Sequence, residues 1–240
     1  TTQAVAGDYV HQVNTLIGTK GTGLTSGYLY PGATYPYGMV QFTPSYFSKR
    51  SGFVINQLSG GGCEHMGNFP TFPVKGKLKM SPDNILNYRI NVSEEKGHAG
   101  YYEAMVQEDI KAKLTVTERT GMASYEYPAD QQYGTIIIGG GISATPIEQA
   151  AIVITAPNKC EGYAEGGNFC GLRTPYKVYF VAEFDTDAFE TGTWKREELM
   201  PNTTFAEGEY SGVYFTFDVN KKKNIQYKIG VSYVSVENAR

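Results

Sequence analysis

The run Lys111-Ala112-Lys113-Leu114-Thr115-Val116-Thr117-Glu118 alternates between polar and apolar side chains, with Ala112, Leu114 and Val116 on one side. Such a period of two marks a strand with one buried and one wet face, because successive Cβ atoms of an extended chain point to opposite faces. Toward the N-terminus the same reasoning predicts strands at Tyr37–Thr43, Phe53–Leu58, Val74–Met80 and Tyr101–Gln107. Toward the C-terminus it predicts Gly121–Tyr127, Thr135–Gly139, Ala150–Ile154, Lys177–Asp185, Gly212–Asp218 and Ile225–Val236. Turn signals such as Pro82-Asp83-Asn84, Pro128-Ala129-Asp130 and Pro157-Asn158 fall between them, at the spacing of about ten residues typical of sandwiches. Only Asp8–Gly18 and Lys195–Met200 have room for a helical turn or two. The expectation is an all-β fold, a large antiparallel β-sandwich with long glycine-rich loops, occupying residues 1–240 as one domain.

Composition narrows the function classes. Lys and Arg number 21 against 24 Asp and Glu, a formal charge of -3. A nucleic-acid partner is not expected, since binding phosphates needs clustered cations that displace counterions. Charged residues make up 19 % and aromatic residues 13 %, with 19 Tyr, 12 Phe and one Trp. That bias is the reverse of a disordered chain and requires a packed core. No apolar run approaches the roughly 20 residues of a membrane-spanning helix, so no transmembrane segment is expected, and no signal peptide opens the chain.

Gly18 to Gly38 has a different character, with closely spaced glycines, Pro31 and Pro36 set among aromatic residues. Glycine costs backbone entropy and proline removes a donor, so neither a regular strand nor a helix fits. A long irregular loop that stays ordered usually faces a ligand or a partner domain. After the strong strand pattern of Ile225–Val236, the chain stops at Glu237-Asn238-Ala239-Arg240 without a cap or polar tail. Continuation into a longer protein is the expectation.

Several motifs admit blander readings. Gly139-Gly140-Gly141-Ile142-Ser143-Ala144 satisfies G-x-G-x-x-A after an apolar run, but a dinucleotide site also needs a following helix to meet pyrophosphate. Pro146 and the β-branched run Ile152–Thr155 leave no room for one, so a strand entering a tight turn is expected. Gly21-Thr22-Gly23-Leu24-Thr25-Ser26-Gly27 misses that fingerprint by one residue. Asp185-Thr186-Asp187 opens like a calcium loop, but Phe189 stands where the next ligand belongs. Cys63 beside His65 could pair a thiol with its base, yet neighbours on an extended loop diverge and no orienting group can be placed. His11 and His98 are isolated in sequence, which favours solvated or capping roles. Glycoside hydrolysis needs two carboxylates facing each other across a pocket. Glu64, Glu161, Glu165 and Asp185 are available, but nothing singles out a pair.

The three cysteines, Cys63, Cys160 and Cys170, lack the spacing of a zinc site,. Cys160 and Cys170 bracket the stretch Glu161–Phe169, which reads as a glycine-rich loop. A hairpin there could close them into a disulfide, and as free thiols they would act as small buried hydrophobes. Asn91-Val92-Ser93 and Asn202-Thr203-Thr204 fit the N-glycosylation pattern, which matters only in a eukaryotic secretory pathway,.

Three segments carry a family resemblance. Val13-Asn14-Thr15-Leu16-Ile17-Gly18-Thr19, followed by Tyr30-Pro31-Gly32-Ala33-Thr34-Tyr35-Pro36-Tyr37-Gly38-Met39-Val40-Gln41, resembles the opening of glycoside hydrolase family 92. Leu58-Ser59-Gly60-Gly61-Gly62-Cys63 is similar to that family's L-S-G-x-G-C loop. Gly100-Tyr101-Tyr102, Leu114–Arg119 and Val231–Ala239 follow in the family's order. The resemblance implies an exo-acting, inverting, calcium-dependent α-mannosidase with an N-terminal β-sandwich, a C-terminal (α/α)6 barrel and a pocket between them. This chain resembles the sandwich alone. By implication the catalytic Glu acid, the base that activates water, and the calcium that grips two sugar hydroxyls lie mainly in the barrel. No catalytic residue and no metal are expected here.

What the sandwich would lend is loops. Ser59, Gly60, Gly61, Gly62 and Cys63, with Gly21, Thr22 and Gly23, are the expected pocket or domain-interface positions. The implied partners are the chain's own (α/α)6 domain and a mannose-containing glycan, in a periplasmic, cell-surface or extracellular setting. Departures from the family pattern bear on linkage specificity: Gln57 stands where a His is expected, Thr22 and Leu24 where His often occurs, and Tyr46–Arg50 shortens a Trp-bearing loop. An alternative function is a free-standing carbohydrate-binding or adhesion module, whose tyrosines would stack on sugar C–H faces.

Overall fold

Alternating side chains give each strand one apolar face, and two sheets bury those faces against one another. The computed structural model describes residues 9, 12–19, 29–45, 52–60, 65–83, 85, 88 and 91–240. In chain order the strands are β1 (Ala33–Thr34), β2 (Gln41–Pro44), β3 (Phe53–Val54), β4 (Thr71–Lys75), β5 (Val92–His98) and β6 (Tyr101–Val106). They continue as β7 (Ile110–Val116), β8 (Thr120–Glu126), β9 (Tyr133–Gly139), β10 (Ile147–Ala156), β11 (Lys159–Phe169) and β12 (Leu172–Phe184). The last are β13 (Glu190–Lys195), β14 (Glu198–Pro201), β15 (Phe205–Glu207), β16 (Ser211–Asp218) and β17 (Asn224–Ser232), before a 3-10 turn at Glu237–Ala239.

One sheet has the order β1-β2-β3-β4-β9-β16-β13-β14 and the other β15-β10-β11-β12-β17-β8-β7-β6-β5. The strand pairings of both are antiparallel. In β7, Ala112 and Leu114 are buried, opposite Ala104 and Tyr102 of β6, as the alternation requires. Aromatic rings from both sheets interlock in the interior: Phe69 with Phe180 at 4.2 Å, Phe184 with Phe215 at 4.7 Å, and Phe53 with Tyr125 at 6.0 Å between centroids. Such contacts add about 0.5–1.5 kcal/mol each beyond area burial. Tyr102, Tyr125, Tyr127, Tyr214 and Tyr227 are core residues, so these tyrosines are no stacking platform for a sugar.

Three expectations need correction. Lys195–Met200 is not helical: β13 and β14 form a hairpin with Lys195 opposite Glu198. The turn is tight enough to place Arg196 at φ 50. Glu161–Phe169 is not a loop but part of β11, paired along both edges. Its glycines serve close strand approach, since a Cβ on Gly162 would lie 2.2 Å from the Ala151 carbonyl oxygen. The Cys160–Cys170 disulfide also fails. At about 3.3 Å per residue, ten residues of strand separate these cysteines by about 33 Å. Cys160 is a buried free thiol, while Cys170 is disulfide-bonded. The remaining cysteine of the sequence, Cys63, lies outside the described residues. The strand expected at Val74–Met80 sits earlier, at Thr71–Lys75, and the last strand ends at Ser232, short of Val236.

The registers give the sandwich two distinct ends. β12 starts and β11 finishes at the same end as the turn after Gly139, because Ile147, just past that turn, pairs with Gly166, and Phe169 pairs with Leu172. This loop end also gathers Asn56 to Gly60, the β5–β6 turn and Tyr233. The opposite, far end carries Lys75 paired with Asp109, the turns around Asp130 and Asn158, and Asn202.

Candidate functional site

A cleft of about 440 Å³ opens at the loop end. One wall comes from the Tyr-Pro-Gly-Ala-Thr segment leading into β1, another from Ser59 after β3, a third from His98 and Gly100 in the β5–β6 turn. Gly32 makes the first wall feasible: a Cβ there would lie 2.1 Å from the Phe42 carbonyl oxygen. Its N–H donates to Thr43 Oγ1 at 3.1 Å, pinning the loop to β2. Ser59 is anchored by the amide of Gln41, whose Nε2 donates to Ser59 Oγ at 2.7 Å. The backbone N–H of Tyr30 reaches the same oxygen at 3.4 Å. His98 stacks on Tyr101 with centroids 5.0 Å apart and planes 18° apart. Its Nδ1 lies 3.0 Å from the Ala99 carbonyl oxygen, an atom that can only accept, so Nδ1 carries the proton,.

The loop end also holds an amide–phenol network built on the buried Asn56 and Asn68. Asn56 and Asn68 bond reciprocally, Asn68 N to Asn56 Oδ1 at 2.7 Å and Asn56 Nδ2 to Asn68 Oδ1 at 3.0 Å. Tyr176 OH also donates to Asn68 Oδ1 at 3.0 Å, and Tyr233 OH lies 3.4 Å from Asn56 Nδ2. Burial raises both phenols above the ordinary value of 10.0, against the pull of these hydrogen bonds, so both are neutral near pH 7, Tyr176 donating to Asn68 and Tyr233 accepting from Asn56. Gln57 is 2 % exposed and donates from Nε2 to His65 O at 2.8 Å. It therefore braces the chain between two flanks of the Leu58–Cys63 motif and does not face the cleft. Among the described residues, Gln57 Oε1 and Asn68 Nδ2 are buried with no hydrogen-bond partner.

The other sequence candidates disperse. His65 is buried with its edge toward Phe169 at 4.8 Å and its Nδ1 3.1 Å from the Asn168 carbonyl oxygen, a packing role. Glu161 pairs with Arg240 at 2.8 Å, Glu165 with Lys177, and Asp185 with Lys222 at 2.8 Å. None of these carboxylates lines the cleft. Gly139 leads into a tight turn followed by β10, without a helix. Gly21, Thr22 and Gly23, and likewise Gly61, Gly62, Cys63 and Glu64, lie outside the described residues; Ser59 and Gly60 are described, with Gly60 at φ 73. Among the described residues no group of three or more His, Cys, Asp or Glu side chains is placed to hold a metal ion. Sequence reasoning missed His98 as a cleft residue and Gln41 as the anchor of Ser59, because β5 carries no alternation and a lone His has no spacing signal.

Hydroxyls, amides and an imidazole beside the apolar Leu29 and Ile17 can hydrogen-bond and pack against a neutral polyol. Among the described residues that line the cleft there is no carboxylate of the kind that glycoside hydrolysis uses as acid and base,. The fold and site define a class, the large antiparallel β-sandwich with a polar cleft at its loop end. The model of the glycosyl hydrolase family 92 N-terminal domain matches residues 12–232, and the chain belongs to that family. An uncharacterized secreted glycosidase of Arthroderma benhamiae is 30 % identical over 142 residues, 51 % of this chain and 18 % of that protein. A solved family 92 glycosyl hydrolase superposes with a TM-score of 0.83 at 22 % identity, covering 97 % of this chain and 34 % of its own. A family 92 α-mannosidase of Bacteroides thetaiotaomicron gives 0.82 at 25 %, covering 96 % and 34 %. The chain thus spans about a third of the length of these solved relatives.

Proposed function

We propose that this chain is the N-terminal part of a longer α-mannosidase-like glycoside hydrolase, inactive alone, and that its loop end completes the sugar pocket against a C-terminal (α/α)6 domain. The observation that carries this reading is the loop end itself, where the described residues line a cleft with hydroxyls and without a carboxylate, and where apolar side chains are exposed. Leu58 is 43 %, Leu172 71 % and Val234 72 % exposed, a surface that water disfavours and a partner domain would cover. The match to solved relatives three times as long supports the same division. In it, calcium and the carboxylate pair come from the other domain, and Ser59 and His98 orient a mannose-containing glycan. The secreted relative supports export of this protein to the periplasm, cell surface or medium. Among the described residues no helix is long and apolar enough to cross a membrane.

The test compares the full-length protein with residues 1–240 on an aryl α-mannoside, with and without a chelator. Calcium-dependent, inverting turnover by the full-length protein alone is expected, with Ser59→Ala raising KM several-fold in it. Robust turnover by the 240-residue piece overturns the reading. Mannose or mannobiose binding tighter than about millimolar by that piece would instead favour a stand-alone carbohydrate-binding module.

A further inference from the structure

The two Asn-x-Ser/Thr triplets have no part in the cleft, and the registers place both at the other end of the molecule, at opposite edges of the nine-stranded sheet. Asn91 precedes β5, which starts at the far end because Val92 pairs with Val106. Asn202 follows β14, which finishes at the far end because Pro201 pairs with Gly192. In both, the backbone is anchored while the side chain is exposed. Gln107 N donates to Asn91 O at 3.0 Å, and Asn202 N donates to Thr191 O at 3.0 Å with Asn202 held at φ 61. Asn91, Ser93, Asn202 and Thr204 are all exposed, so the folded chain has room for a bulky substituent on either amide.

Their lateral positions matter as well. β5 is the outer strand of the nine-stranded sheet, and Asn202 joins β14 and β15, the outer strands of the two sheets. An outer strand presents unpaired N–H and C=O groups that template pairing with another chain. Beside Asn202 the edge also exposes Phe205, at 54 %. A hydrated glycan at these corners would exclude such pairing while leaving the loop end clear.

We propose that Asn91 and Asn202 are N-glycosylation acceptors. In the transfer, Nδ2 of the asparagine forms a bond to C1 of an oligosaccharide carried on a lipid diphosphate. The C1–O bond to the diphosphate breaks, the amide loses one proton, and the lipid diphosphate departs. The Ser93 and Thr204 hydroxyls complete the acceptor triplets. This inference rests on the export reading above, in a eukaryotic secretory pathway.

The experiment secretes the full-length chain from yeast behind an added leader, removes N-glycans enzymatically in heavy-oxygen water, and maps the peptides by mass spectrometry. Heavy-oxygen Asp is expected at both Asn91 and Asn202. Thr204→Ala should erase only the Asn202 tag and Ser93→Ala only the Asn91 tag, each with unchanged melting. An untagged asparagine in secreted, cooperatively melting protein overturns the assignment at that position. Export in the native host is read separately by cell fractionation, so failure of the export reading and failure of the acceptors give different results.

Discussion

Asn68 shows how much of the site depends on single polar atoms. It is 0 % exposed, and its Oδ1 accepts from both Asn56 and Tyr176. Replacing it by Ala removes the acceptor that Asn56 Nδ2 and the Tyr176 phenol share and leaves Asn56 Nδ2 only the 3.4 Å contact to Tyr233 OH, at a cost in desolvation. Asn68→Ala is expected to destabilise the chain by roughly 2–3 kcal/mol, measured by urea unfolding. Tyr176→Phe removes one donor and leaves Asn68 still bonded to Asn56, so it should cost about 1 kcal/mol. In the double variant the phenol is no longer there to be orphaned, so the two effects should sum to less than their total. Strict additivity would show that Tyr176 and Asn68 are not coupled. Gln57 is argued at the same scale: its position was legible as a departure from the family's His, but its burial was not, because nothing local says which way a loop side chain turns.

At the scale of the element, legibility followed the period-two pattern. β6, β7, β8, β9, β16 and β17 alternate or carry continuous apolar runs, and they stand close to where the sequence places them. β5 (Val92–His98) could not be read, because an outer strand with a bulge between Ser93 and Lys96 has no buried face to enforce alternation,. β11 was hidden by glycines that resemble a loop but permit close strand contact. The cleft was legible only as the Leu58–Cys63 and Tyr30–Gln41 motifs; His98 enters it through the unread β5. The β11 correction has a covalent consequence. With Cys160 buried in the strand and Cys170 in the hairpin turn, non-reducing peptide mapping is expected to find Cys170 in a disulfide and Cys160 as a free thiol. That thiol should react with an alkylating agent only on unfolding, since burial raises its pKa well above the ordinary value,. A Cys160–Cys170 cross-link would contradict β11.

At the scale of the whole molecule, the aromatic interior sets a limit on alkaline stability. Tyr125, Tyr127 and Tyr227 lie wholly between the sheets, and burial raises each phenol above its ordinary value of 10.0. Near the surface Tyr101 is pushed up to about 12, first by desolvation and then by its hydrogen bond to Glu103. For an acid whose folded pKa is raised, the stability it contributes is complete below the unfolded value and declines once pH exceeds that value. Glu103 has the opposite sign: the Tyr101 hydrogen bond, then Lys111, Lys96 and Lys113, hold its carboxyl below 4.5. Its contribution is present above the unfolded value and lost as pH falls through the folded one. The melting temperature should therefore be flat near neutrality and fall above pH 10, because unfolding releases phenols that ionise there while the folded chain keeps them protonated. Phenolate absorbance of the buried tyrosines should appear together with loss of the far-ultraviolet sheet signal, in one transition. Ionisation of every tyrosine with the sheet signal intact would mean that water reaches the interior, and the cross-sheet aromatic layer would not be the dry core its ring contacts describe.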